Sequence, residues 1–367
     1  MGFTSIKTYN YRNLENREIN VASKKVFLIG ENGQGKTNFL ETVYLLCFGA
    51  SFRTRSEQNL IRYGESSMSI QGKYSSGNGG VNTVLLKLEN GKKEIRVNDK
   101  IIKDRKEIIE NTPCIIFSHD DIAFVKGSPE RRRWFFNQTM SLYDSMFIDN
   151  LRKYSKILKL RNSQLKVKQA KDIDIYDIQM ATAGLEIQRK REQTIILFNE
   201  VFNRVFSKIF GDEMAVHIQY SPSWKGCNSV EAVIEHLERR RNRDIEQGLS
   251  LSGPQRDRIL FLSGTVDFSS NASTGQLRLM SLLLRVVQAQ FYTEKTGRRP
   301  IILLDDVLLE LDARRRKEVL VLLPEYEQAF FTFLPDEQVV RHQQEKTLLY
   351  KVNGGTLINI WKEPEKY

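Results

Sequence analysis

Cysteine is nearly absent from this chain, and its three copies, Cys47, Cys114 and Cys227, are odd in number and far apart. No C-x-x-C pair occurs. A disulfide framework and a cysteine zinc cluster are thereby excluded, and reduced thiols in a cytosolic compartment are expected. Long apolar runs are missing too, with nothing near the ~18 residues that a membrane span needs. The first residues, Met1-Gly2-Phe3-Thr4-Ser5-Ile6, hold no signal-peptide core, and Ile6 stands where myristoylation requires Ser or Thr. Proline is scarce, and none falls between Glu130 and Ser207, which leaves that stretch free to be helical. No internal repeat is found, and the only low-complexity stretch is Ser75-Ser76-Gly77-Asn78-Gly79-Gly80.

What is present is a globular composition, 40% hydrophobic and 28% charged over 367 residues, enough for two domains. The net charge is +11 with a pI near 9.4, which favours a polyanionic partner, nucleic acid before anionic membrane.

The chain is organised around Val26 to Thr37. Val26-Phe27-Leu28-Ile29 reads as a buried strand, and Phe39, Leu40, Val43, Tyr44, Leu46 and Cys47 recur at helical spacing. Between them lies Gly30-Glu31-Asn32-Gly33-Gln34-Gly35-Lys36-Thr37, a G-x-x-x-x-G-K-[ST] phosphate loop in the strand–loop–helix setting it requires. Its backbone N–H groups would cradle an anion at a helix N-terminus. Lys36 would bridge the β and γ phosphates of ATP, and the Thr37 hydroxyl would hold Mg²⁺.

Short strands are predicted at 67–74, 82–89 and 93–97, joined as hairpins within 66–103, and a buried strand at 113–118. From Glu130 to about Ser207 the pattern is one helical run interrupted only by Gly184. Residues 151–168 carry Arg152, Lys153, Lys156, Lys159, Arg161, Lys166 and Lys168 with no acid. Such a run is either a solvated helix face or a polyanion contact. A further helix over 230–247 carries Arg239, Arg240, Arg241 and Arg243. Strands return after Gly253-Pro254, with a hairpin around Ser263-Gly264, and further strands are expected at 329–333, 348–352 and 357–361, with a helix over 313–323.

Ile301-Ile302-Leu303-Leu304 followed by Asp305-Asp306 is a Walker B pattern, an apolar strand delivering carboxylates at its C-terminal end. Asp305 would hold Mg²⁺ opposite Thr37, and Asp306 would polarise the attacking water. Ser273-Thr274-Gly275-Gln276 opens a helix, either as a plain N-cap or as a second anion site. The order phosphate loop, insertion, this motif, Walker B and then Glu310-Leu311-Asp312 is similar to that of ABC-type ATPases. In that architecture the signature Ser273, Gly275 and Gln276 of one subunit, with the D-loop Asp312, would complete the ATP site of another in a head-to-tail dimer.

The chain resembles the RecF family of DNA repair proteins, SMC-like ABC ATPases, over nearly its whole length. The resemblance rests on Asn10-Tyr11-Arg12-Asn13-Leu14, the loop 30–38, Val125-Lys126-Gly127-Ser128-Pro129-Glu130-Arg131-Arg132-Arg133, Gly253-Pro254-Gln255-Arg256-Asp257, Leu303-Leu304-Asp305-Asp306-Val307 and Glu310-Leu311-Asp312. It implies an α/β, ABC-type ATPase head with an antiparallel β part and an inserted, mostly helical second lobe. Residues 1–128 and 250–367 would form the head and 129–249 the lobe. It adds Arg12 to the nucleotide-binding candidates. It implies a weak, DNA-stimulated ATPase that dimerises on ATP and binds DNA at gaps or single-strand/double-strand junctions. It also implies recombinase loading in recombinational repair, replication and the SOS response with RecR-type and RecO-type partners. By charge, Arg131, Arg132, Arg133, Arg152, Lys153, Lys156, Arg239 and Arg240 are the DNA-contact candidates.

The sequence departs from the family pattern at Gln255 (usually His), at Arg258 (usually Asp) and at Ser118-His119-Asp120-Asp121, where Ala-Pro-Glu-Asp is usual. No His stands at the switch position of ABC transporters, where Phe331-Thr332-Phe333 is found. Two other classes share the ATP motifs. A transporter's ATP-binding subunit would co-purify with membrane, and a small-molecule P-loop kinase would not need residues 273–276.

Overall fold

The computed structural model describes residues 2–75, 79–167, 173–211, 214–309, 311–335 and 347–360. Lys168, Glu310 and Trp361, which carry sequence-based expectations above, lie outside the described residues. The chain divides into two compact units, Met1–His119 with Thr296–Tyr367, and Asp120–Lys295.

The first unit opens with β1 (Phe3–Tyr9), β2 (Glu18–Asn20), β3 (Lys25–Ile29) and α1 (Lys36–Phe48). It continues through β4 (Ser67–Ser75), β5 (Val81–Glu89), β6 (Lys92–Val97), β7 (Lys100–Ile101), α2 (Lys106–Asn111) and β8 (Cys114–Phe117). The second unit runs α3 (Ile122–Lys126), α4 (Pro129–Ser141), α5 (Ser145–Lys166), α6 (Ile173–Phe210), β9 (His217–Ser221) and α7 (Val230–Gln247). It ends with β10 (Arg258–Ser263), β11 (Val266–Asp267), α8 (Phe268–Asn271) and α9 (Thr274–Thr296). The chain then returns to the first unit as β12 (Ile301–Leu304), α10 (Ala313–Leu322), β13 (Gln328–Phe333), β14 (Thr347–Asn353) and β15 (Thr356–Asn359).

Two six-stranded sheets build the first unit. One is antiparallel, in the order β2-β1-β4-β5-β6-β7. The other runs β15-β14-β3-β13-β12-β8; the five strands from β14 to β8 are parallel and β15 closes one edge antiparallel. The far-edge strand β8 and its neighbour β12 are apolar without alternation and buried at every position, as strands covered on both faces must be. Helix α1 packs against β4 and β5 of one sheet and β8 and β13 of the other. Accordingly it is buried nearly all round, through Phe39, Leu40, Val43 and Leu46 among others. In this order β3 lies next to β13, which lies next to β12, so the phosphate-loop strand and the Walker B strand are one strand apart and end on the same side.

The second unit packs helices with the small sheet β11-β10-β9. The single helical run expected from 130 to 207 is three helices. The first break falls before Asp144, whose side chain accepts the Phe147 N–H and caps α5. Buried polar groups tie these helices together. Asp257 accepts from Arg191 Nη1 (2.7 Å), Tyr220 Oη (2.5 Å) and the Ser223 N–H (2.8 Å). Tyr154 donates to Gln255, which donates to the carbonyls of Ser252 (2.8 Å) and Ser250 (3.3 Å). The Gly-Pro-Gln-Arg-Asp segment is therefore a knot of packing contacts within this unit. Gln255, carrying both an acceptor and a donor, fills the place where the family usually has His, and the departing Arg258 is exposed.

Candidate nucleotide-binding site

The loop between β3 and α1 is shaped by two glycines. Gly35 caps α1 at φ 114°, in the left-handed half of the map. At Gly30 a side chain is impossible for another reason, because a Cβ there would stand 2.4 Å from the Val352 carbonyl of β14. Glu31, Asn32, Gly33, Gly35, Lys36, Thr37, Asn38, Arg53 and Asp306 line a cavity of about 200 Å³ over this loop. Gln34 closes its outer side against β14–β15, accepting the Gly355 N–H at 2.8 Å and, through Oε1, the Gly354 N–H at 2.7 Å.

Lys36 is buried, and its ammonium donates to the carbonyls of Gly30 (2.6 Å) and Glu31 (3.3 Å) while standing 3.5 Å from Asp306 Oδ2. Thr37 Oγ1 donates to Asp305 Oδ1 at 2.8 Å, joining the start of α1 to the end of β12. Burial pushes the Asp305 carboxyl up to about 6; the Thr37 hydroxyl holds it down, the Asp306 charge adds to the rise, and Arg53 and His119 oppose it. A buried carboxylate and a hydroxyl within contact, with a second carboxylate beside them, make an all-oxygen donor set that suits a hard cation. Asp306 is held at φ 53°.

Of two arginines near the loop, one is expected at the site from the sequence and the other is not. Arg12 does not line the cavity; its guanidinium lies on the buried Glu41, with Nη2 2.9 Å from Oε1 and Nε 2.5 Å from Oε2. The reason is electrostatic, since a carboxylate without water needs a cation. Arg53, which sequence reasoning passed over, does line the cavity and donates to Asn38 Oδ1 at 2.7 Å.

In the second unit, Ser273 and Gln276 engage each other. The Ser273 N–H donates to Gln276 Oε1 (2.8 Å) and the Gln276 N–H to Ser273 Oγ (3.3 Å), a reciprocal capping box at the exposed start of α9. In the first unit Asp312 caps α10, accepting the Arg315 N–H at 2.8 Å.

The basic candidates separate by burial. Arg131, Arg152, Lys153, Lys156 and Arg239 are exposed, and Arg133 and Arg240 half-buried. Arg133 donates to the Asp257 carbonyl at 2.7 Å. Arg132 is a correction: it is buried, donating to Asp267 Oδ2 (2.8 Å) and to the Val125 carbonyl (2.6 Å). Arg161, counted above among seven uncompensated charges, is buried between Asp177 (2.6 Å) and Asp244 (2.7 Å). Arg241 likewise pairs with Asp174 (2.5 Å) and Asp177 (2.9 Å). Leu151, Arg152, Ser155, Lys156 and Lys159 remain together around a shallow concavity of α5.

A phosphate loop and a carboxylate-tipped strand, brought together on a mostly parallel sheet beside an antiparallel one, define a phosphate-loop ATPase head of the ABC and SMC class. A family model described as RecF/RecN/SMC N terminal domain matches residues 3–356. The DNA replication and repair protein RecF of Treponema pallidum (strain Nichols) is 43% identical over 346 residues, 94% of this chain and 98% of that protein. The solved structure of "the recombination mediator protein RecF-ATP in RecFOR pathway" superposes with a TM-score of 0.89 at 27% identity, covering 98% of this chain and 97% of that one. An Smc head bound to the C-winged helix domain of ScpA shares the fold, with a TM-score of 0.57 at 14% identity over 98% of this chain and 97% of that one. The chain belongs to the RecF family of DNA replication and repair proteins. Among the described residues no helix is long and apolar enough to cross a membrane.

Proposed function

We propose that this chain is an ATP-dependent DNA clamp of recombinational repair and replication-fork maintenance, acting in the cytoplasm. The observation that carries the reading is the 2.8 Å contact of Thr37 with Asp305, which unites two motifs 268 residues apart around one cavity. ATP phosphates lie on the N–H groups of 30–37 with Lys36 and Arg53 beside them. Thr37 and Asp305 would hold Mg²⁺, which supplies charge neutralisation at the phosphates. Asp306 orients the attacking water.

In this reading residues 1–128 and 250–367 form the head and 129–249 a second lobe. Two copies close over two ATP molecules, Ser273, Gly275, Gln276 and Asp312 of each serving its neighbour's site. The closed dimer holds DNA at gaps or single-strand/double-strand junctions through exposed cations such as Arg131, Arg152, Lys153, Lys156 and Arg239, and promotes recombinase loading with RecR-type and RecO-type partners. Support comes from the solved relative, described as RecF-ATP in the RecFOR pathway. The test is ATP turnover with and without gapped DNA, read beside molecular mass in ATP. Slow turnover raised by DNA, with doubling of mass, is expected; a monomer in saturating ATP would refute the clamp.

A further inference from the structure

Glu41 lies on α1, one turn beyond Thr37, and no solvent reaches it. Tyr11 Oη donates to its Oε2 at 2.6 Å, Arg12 engages both oxygens, and the Ser51 hydroxyl donates to Oε1. Burial first, then the Glu41 carboxylate, push the Tyr11 hydroxyl well above its ordinary pKa, so it remains a donor. Arg12 is itself fixed in a left-handed conformation at φ 44°, with its N–H on the Leu60 carbonyl at 3.0 Å.

The Ser51 contact reaches further. Its oxygen accepts the N–H groups of Arg53 (2.9 Å) and Thr54 (3.0 Å), so the hydroxyl that donates to Glu41 also closes the turn bearing Arg53. Arg53 Nη1 stands 3.8 Å from Glu41 Oε2 and donates to Asn38 Oδ1, while Asn38 Nδ2 donates to Asn13 Oδ1 at 2.7 Å. One buried carboxylate thus joins the 10–13 loop, α1 and the 51–54 turn at the rim of the cavity.

We propose that Glu41 is a positioning residue of the nucleotide site: through Ser51 it fixes the 51–54 turn so that Arg53 faces the nucleotide phosphates. The proposal rests on the ATP reading above. A carboxylate that served only to stabilise the core would need Tyr11 and Arg12; it would not need a hydroxyl whose other two contacts order the turn carrying Arg53.

The test compares ATP affinity and thermal unfolding across variants of the full chain. Arg53→Ala is expected to weaken ATP binding by about 10-fold, the scale of one hydrogen bond to a charged group. Ser51→Ala, which leaves the Tyr11 and Arg12 contacts of Glu41 in place, is expected to weaken it similarly with little change in unfolding temperature. Ser51→Thr, which keeps the hydroxyl, is expected to restore it. The double variant of Arg53→Ala and Ser51→Ala should bind no worse than Arg53→Ala alone, because both remove the same contact. Unchanged affinity in Ser51→Ala or in Arg53→Ala, or fully additive losses, would overturn the proposal while leaving ATP binding intact. Failure of the unmodified protein to bind ATP would overturn the ATP reading beneath it.

Discussion

Thr332 Oγ1 donates to Asp306 Oδ1 at 2.6 Å and accepts the Asp306 N–H at 2.7 Å. Thr332 is buried on β13, and its two contacts hold the backbone and carboxylate of a residue kept at φ 53°. This strand carries the position where ABC transporters have a switch histidine. Here a hydroxyl is in place, and what it touches is the second carboxylate of the Walker B strand.

That relationship predicts the behaviour of Thr332→Val, which keeps the volume and removes the hydroxyl. ATP affinity should persist, since Lys36 and the loop are untouched. Turnover should fall by about 10-fold or more, the range set by a misplaced general base. Equilibrium binding beside single-turnover hydrolysis separates the two; an unchanged hydrolysis rate would show that Thr332 only packs.

Lys36→Ala should abolish ATP binding. In the intact protein, ATP at 100 times its Kd should add about 2.7 kcal/mol of stability through mass action. Thermal unfolding with and without ATP reads this directly, and the variant should show no upward shift. The variant also loses the ammonium's contacts with the Gly30 and Glu31 carbonyls and its 3.5 Å approach to Asp306, so each protein's shift is read against its own ATP-free unfolding temperature.

Ser273→Arg should bind ATP as a monomer. The substitution removes one half of the capping box, which costs about 1 kcal/mol at a helix start and leaves α9 folded. Asp306→Asn, by contrast, should accumulate as an ATP-bound dimer if, as proposed, hydrolysis reopens the clamp. Molecular mass measured by light scattering in ATP decides both; normal dimerisation of Ser273→Arg would remove this motif from the interface.

Much of the site was legible because short local patterns set it. Glycine spacing shapes the phosphate loop, and a four-residue apolar run between Pro300 and Asp305-Asp306 is too short for a helix and reads as a covered strand with its charges at the end. Arg53 escaped because its place depends on a turn organised by Ser51, with Glu41 ten residues away. Arg132 and Arg161 were misjudged although a signal existed. Arg132 shares a helical stripe with Phe135, Phe136 and Thr139, and Arg161 one with Tyr154, Ile157 and Leu165, all buried. A cation at core periodicity asks for an acid, and the half-buried Asp267 or the buried Asp177–Asp244 pair answers from another element. Such partners are distant in sequence, which is why counting charges along one helix overstated its free positive charge.

Arg132→Ala should accordingly destabilise the protein by about 2 kcal/mol, the scale of lost hydrogen bonds from a buried guanidinium to a carboxylate that is itself only half-buried. Burial raises the Asp267 pKa, but the Arg132 and Ser269 hydrogen bonds outweigh it and leave the carboxyl below its usual range. A depressed folded pKa means that this contribution is complete at neutral pH and above the unfolded carboxylate pKa. It is lost only as acid titrates the folded group. Denaturant melts at pH 7 and in the carboxylate range should show the gap between Arg132→Ala and the intact protein closing on acidification.

The exposed stripe of α5 should behave in the opposite way. Replacing Arg152, Lys153 and Lys156 together by Ala removes no buried contact, so stability should hold within about 0.5 kcal/mol. If each cation neutralises one DNA phosphate, the slope of log K against log salt should shrink by about 0.9 per residue, close to three for the triple change on duplex DNA. Because phosphate contacts read no bases, the loss should be alike across sequences. Binding measured over a salt series gives the slope, with Arg132→Ala as the comparison, where the slope should stay as it is in the folded fraction. A triple variant with the full salt slope would move the DNA contact to Arg131, Arg239 or their neighbours.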